Sequence, residues 1–147
     1  MTVQARHMES SLIQVRQIRR ALEGRSVELR PPAVESEIRR FEQELQVTLH
    51  DRLRELYLQF DGFAECDSKG QMMFWPLERI VEERELSQAG PEGRVFAIGD
   101  VLIDSDFLMS PLSVEGPVVL LYEQRTLAPS VTAFLAKLAA KEFDFLK

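Results

Sequence analysis

The apolar residues of this chain change their spacing once, and that change limits the folds open to it. Through residue 60 they recur every three or four positions; beyond it they gather in short runs bounded by proline and glycine. Helices therefore come first, strands next, and one last helix near the end. That segregated order predicts an α+β fold, a mostly antiparallel sheet with helices packed against it, rather than a parallel sheet wound through βαβ units. The 147 residues, 45% of them apolar, suit a single domain spanning 1–147. A chain of this size buries about 70% of the surface it would expose unfolded. No internal repeat or long linker divides it.

Met8, Leu12, Val15, Ile18 and Leu22 share one stripe of a first helix, which Gly24 ends as a left-handed cap, while 1–7 reads as a flexible tail. After Pro31-Pro32, a second helix carries Val34, Ile38, Phe41 and Leu45 inward and turns Glu35, Glu37, Arg39, Arg40, Glu42 and Glu44 to water. A third carries Leu53, Leu56, Tyr57 and Phe60 and stops at Asp61-Gly62. The short link at 46–50 predicts that these two helices pack as neighbours. Met72 to Trp75 reads as a strand closed by Pro76, Leu77 to Leu86 as a short helix, and Ser87 to Gly93 as a loop. Val95 to Ile98 and Val118 to Tyr122 read as strands, with turn-like connections at 110–117 and 123–130. Ser130 is placed to cap a final helix that buries Val131, Phe134, Leu135 and Leu138, and Phe143, Phe145 and Leu146 are apolar enough to dock the C-terminus.

Little in the chain suits catalysis. No phosphate-cradling, nucleophile-elbow, dinucleotide or HExxH zinc motif occurs, and the two histidines, His7 and His50, stand far apart. The single cysteine, Cys66, is flanked by Glu65 and Asp67, which disfavour its thiolate, and no histidine lies at zinc-ligand spacing from it. A lone thiol agrees with a reducing compartment. Met1 to His7 has no apolar stretch of a secretory signal, and the longest apolar run, Val118 to Tyr122, is far too short to span a membrane. The expected location is the cytoplasm, with no catalytic residue, metal or cofactor.

The net charge of −6 is unevenly spread: residues 1–60 hold ten arginines against nine acids, and 61–147 hold eight basic residues against fifteen acids. The later half therefore repels nucleic acid and anionic membrane and favours a basic partner. Its candidate partner-binding residues are Asp100, Asp104 and Asp106 together with Glu82, Glu83 and Glu85. If 100–107 is one strand, period two sets the three aspartates on its outward face and Val101, Ile103 and Phe107 on the other. The aspartates then read as a solvated face rather than a cation site.

Several of these segments carry a family resemblance. Pro31-Pro32-Ala33, Ile38, Phe41-Glu42 and Leu45 are followed by Val47, Leu49-His50, Leu53, Leu56-Tyr57 and Phe60-Asp61-Gly62. Together these resemble the N-terminal signature of the SUKH superfamily, in the branch related to the fungal cell-wall-assembly regulator. Trp75-Pro76-Leu77-Glu78-Arg79-Ile80 is similar to that family's strand-to-helix turn, Asp100 to Ser105 to its DxLIxS strand, and Ser130 to Leu138 to its closing helix. The resemblance covers about residues 30–140. It departs at His50 for a usual proline, Asp61 for a usual asparagine, and Val131 for a usual phenylalanine.

This resemblance implies an α+β, non-enzymatic protein-binding module. In bacteria such domains commonly act as immunity proteins against a cognate toxin, often a nuclease; the alternative is a regulatory scaffold like the fungal regulator. It implies a protein partner, no direct contact with nucleic acid or membrane, and no catalytic residue to carry over.

Overall fold

Among the described residues, three helices precede the first strand. The computed structural model describes residues 3–25, 27–66, 72–91, 93–102 and 105–140, with side chains from residue 14 onward. Helix α1 (Val3–Gly24) reaches back into the stretch expected to be a tail. Gln4, Ala5, Arg6, Met8 and Glu9 are good helix formers, and no proline or glycine interrupts them. Val15, Ile18 and Leu22 are buried as expected, whereas Met8 and Leu12 lie outside the described side chains. Gly24 is the last helical residue rather than a left-handed cap; the Arg25 N–H reaches back to the carbonyls of Ala21 and Leu22.

In α2 (Glu35–Leu45), Ile38 and Phe41 are buried and Leu45 packs half-buried against the core. Val34, counted on the same stripe, is 54% exposed because it precedes the first helical turn. Its N–H instead donates to Glu37 Oε1 at 3.0 Å, one half of a capping box. Glu42, expected to face water, turns back onto the following loop and accepts from the Leu49 N–H at 2.8 Å.

Helix α3 (Asp51–Gln59) starts where His50 Nδ1 accepts from the Leu53 N–H at 3.4 Å. Leu53, Leu56, Tyr57 and the extended residue Phe60 are buried. The sheet then begins with β1 (Met72–Phe74), followed by α4 (Leu77–Glu82), a 3-10 turn (Arg84–Leu86), β2 (Gln88–Gly90), β3 (Gly93–Val101), β4 (Asp106–Pro111), β5 (Val118–Leu120) and β6 (Thr126–Ala128). Helix α2 lies mainly against α4 and α3 mainly against α1, so the short link does not make α2 and α3 close-packed neighbours. Arg54 spans them instead, pairing with Glu35 and Glu42.

All strand pairings are antiparallel, in the order β1-β3-β4-β5-β6, with β2 added beside the first residues of β3. Among the described residues, the curled sheet and five helices form a single α+β domain. Strands β2 and β6 occupy stretches that read as loops, Ser87 to Gly93 and 123–130. Each is three residues long and held by ladder bonds to a longer or more apolar neighbour, which needs no alternation of its own.

Phe74 is the centre of the core where the helices meet the sheet. Tyr57, Phe60 and Phe63 place their ring centroids 5.5, 6.2 and 6.0 Å from it. Helix α5 (Val131–Ala139) is capped by Ser130 Oγ, which accepts from the Ala133 N–H at 3.1 Å, and buries Val131, Phe134, Leu135 and Leu138. The buried guanidinium of Arg25 donates to the Leu138 carbonyl and ties the ends of α1 and α5 together. Phe143, Phe145 and Leu146 lie outside the described residues.

Candidate partner-binding site

Four segments distant in sequence meet at the Trp75-Pro76 junction. Asp61 Oδ1 accepts from the Leu77 N–H at 2.9 Å, so a residue just past the C-cap of α3 caps the start of α4. The Tyr57 hydroxyl donates to the Trp75 carbonyl at 2.9 Å, and the Phe63 N–H donates to the Phe74 carbonyl at 2.8 Å. The Trp75 indole donates to Asp100 Oδ2 at 2.6 Å. Arg79, one turn into α4, stacks 4.4 Å above the indole and stands 3.8 Å from the same carboxylate. This network sets the angle at which α4 leaves β1 and so fixes the space between α4 and α2.

That space is a cleft of about 400 Å³. Phe41, Leu77 and Val81 give it an apolar floor. Glu37 and Glu44 come from α2, Glu78 and Glu82 from α4, and Asp61 closes its inner end, against only Arg30 and Arg40 of opposite charge. Asp61 is 7% exposed, and its Oδ2 lies 3.9 Å from the Arg30 guanidinium. Burial pushes the Asp61 carboxyl above its usual range; the Leu77 N–H and Arg30 oppose that shift, while Glu37 and Glu78 add to it.

The six residues chosen from sequence do not form one surface. Asp100 and Asp106 are 4% and 8% exposed, not on an outward strand face. Residues 100–107 are not one strand: β3 ends at Val101, Leu102 takes a left-handed φ of 51°, and β4 begins at Asp106. The reversal pairs Val101 with Asp106, so a period-two count across 102–105 has no meaning. Asp106 is spent on the 121–124 turn, accepting from the N–H groups of Tyr122 at 2.8 Å and Glu123 at 3.0 Å. Asp104 lies outside the described residues. Glu82 lines the cleft, Glu83 is half-buried at the end of α4, and Glu85 is exposed on the 3-10 turn.

Asp61, Glu37, Glu44 and Glu78 were not singled out from sequence. The signal available was the spacing of Glu78 and Glu82, one turn apart on a short helix. What brings α2 opposite them is tertiary packing. Among the described residues, no three His, Cys, Asp or Glu side chains are grouped to hold a metal ion, and no helix is long and apolar enough to cross a membrane. Cys66 is exposed.

The fold and cleft define a small α+β domain with an acidic groove between two helices. The sequence profile of the SMI1 / KNR4 family (SUKH-1) matches residues 32–137. The chain belongs to this family, whose members are generally non-catalytic immunity or regulatory proteins. No curated protein is matched.

Proposed function

We propose that this chain is a non-catalytic, cytoplasmic protein-binding module, an immunity protein that neutralises a cognate bacterial toxin by covering a basic face of it. The observation that carries the reading is the concentration of exposed carboxylates on α4 and the turn after it, Glu78, Glu82 and Glu85, in a member of the SUKH-1 family. An enzyme that gathers phosphates presents basic groups, and an inhibitor of opposite sign gains association rate and specificity. The same carboxylates repel nucleic acid and anionic membrane, so the partner is a protein, with a nuclease the favoured class.

The test is rescue. A toxin encoded beside this chain is expressed with the wild type and with Glu82→Lys/Glu85→Lys. Protection by the wild type, weakened in the variant and weakened further by salt in a binding assay, is the expected result. Exposed charges are screened beyond about 8 Å at physiological ionic strength. A wild type that binds a non-toxic regulator and protects against nothing would make the chain a scaffold instead.

A further inference from the structure

We propose that the cleft between α2 and α4 receives an arginine side chain from a protein partner, with the guanidinium meeting Asp61, Glu78 and Glu82 and the stem lying on Phe41, Leu77 and Val81. The proposal rests on the reading of the chain as a partner-binding module and names the chemistry that the module recognises.

The cleft has room and a suitable surface. Its volume of about 400 Å³ falls within the roughly 300–1,000 Å³ of sites that enclose a small ligand. An arginine stem buries against an apolar floor while its charged head reaches polar groups beyond it.

Its electrostatics are unfinished. Of the two guanidiniums, Arg40 pairs at 4.0 Å with Glu44 and is 82% exposed, and Arg30 stands 3.9 Å from Asp61. Glu78 and Glu82 make no ion pair with any described residue and face one another at the i, i+4 spacing that is repulsive for like charges. At the inner end of the same cleft, the buried Asp61 uses Oδ1 to cap α4, and its Oδ2 stands 3.9 Å from the Arg30 guanidinium without a hydrogen bond to any described residue. Burial is the main cause of the raised proton affinity of this carboxyl; Glu37 and Glu78 on the cleft walls add to it, against the Leu77 N–H and Arg30.

Arginine fits better than a hard cation. The carboxylates are spread over two helices, and no three acids among the described residues are grouped to hold an ion. A planar fork, weakly hydrated and able to bond two carboxylates at once, suits separated and partly desolvated acceptors.

The test uses the full chain, labelled with nitrogen-15 and titrated with acetyl-Gly-Arg-Gly-amide, with acetyl-Gly-citrulline-Gly-amide and with magnesium chloride. The expected result is a saturable set of amide shifts confined to 37–44, 61 and 77–82, given by the arginine peptide alone. A single side chain should bind with a dissociation constant of about 1 mM and at least about tenfold more weakly to Glu78→Gln/Glu82→Gln. Both replaced residues are exposed, and an unchanged melting temperature would show the variant folded. Equal binding of the citrulline peptide, the same shifts from magnesium at lower concentration, shifts elsewhere, or undiminished affinity in the variant would each overturn the proposal. Toxin rescue separates this from the broader reading. Equal protection by wild type and Glu78→Gln/Glu82→Gln would remove the cleft and leave the immunity role standing. Failure of the wild type to protect would remove the immunity role and leave the cleft to be decided by the titration.

Discussion

Gly62 lies so close to Pro76 that a methyl group on its Cα would stand 2.5 Å from the proline nitrogen. It would also stand 2.6 Å from the Trp75 carbonyl carbon, and Gly62 has a φ of 76°. Two separate constraints, left-handed backbone and backbone-to-backbone approach, therefore require glycine where the chain leaving α3 passes the Trp75-Pro76 junction.

Gly62→Ala should consequently destabilise the domain by about 2–5 kcal/mol, since the left-handed penalty and the overlap add. Gly24→Ala is the control. It sits at the end of α1 with nothing within 4 Å of an added methyl and no positive φ, so it should be neutral or stabilising by up to about 1 kcal/mol. Denaturant midpoints of the two variants, measured against wild type, check both. Equal effects would mean that the approach of Gly62 to Pro76 is not what holds α4.

The Trp75 and Asp100 side chains should be strongly coupled. Trp75→Phe keeps most of the buried ring but removes the donor to a carboxylate that is 4% exposed, a loss of about 1–3 kcal/mol. Asp100→Ala leaves the indole N–H buried and also removes the counter-charge of Arg79. Because either change alone breaks the same bond, the double variant should be less destabilised than the sum, with a coupling of about 0.5–3 kcal/mol. Simple additivity in urea unfolding would show that the 2.6 Å contact contributes no more than its separate parts.

The helices were legible in sequence because a 3.6-residue period survives over several turns: Val15, Ile18 and Leu22, then Ile38 and Phe41, all turn inward. The short strands were not. Gln88–Gly90 and Thr126–Ala128 are placed by their partners in β3 and β5 rather than by their own side chains. Asp100 and Asp106 looked solvated because a period-two count was carried across 100–107 as one strand, and nothing local reveals that one faces an indole and the other holds a turn of backbone. The cleft was legible only in pieces, since Glu37 and Glu78 come to face the same space through the packing of α2 on α4.

Phe41 and Phe134 test two different junctions. Phe41 is 3% exposed between α2 and α4, and Phe134 is 1% exposed in the core beneath α5. Truncating either to alanine should cost about 3–5 kcal/mol, a large part of the 5–15 kcal/mol typical of a domain. Phe41→Leu, which keeps the position filled, should cost far less and leave the cleft floor apolar. A midpoint unchanged by Phe41→Ala would contradict the packing of α2 on α4.

His50 and Asp61 should give the pH–stability curve two features of opposite sign. Burial holds the His50 imidazole below its usual pKa, with Arg52 reinforcing the shift and Glu115 and Asp51 opposing it. The folded protein therefore prefers the neutral ring, whose Nδ1 accepts the Leu53 N–H. The unfolded chain binds the proton first, so this contribution is complete above about pH 6.5 and is lost as pH falls through that value towards the lower folded pKa. Asp61 is shifted the other way: burial, aided by Glu37 and Glu78, raises its folded pKa. Its contribution is present below the unfolded pKa of about 3.9 and disappears as pH rises through the higher folded value. His50→Asn keeps a side-chain acceptor at the cap but does not titrate, so it should flatten the slope near neutrality while leaving the acid limb. Asp61→Asn keeps an oxygen for the Leu77 N–H and should remove its own feature in the acid limb while leaving the slope near pH 6.5. Urea unfolding from pH 4 to 8 would resolve the two, and an unaltered neutral slope in His50→Asn would assign that slope to another group.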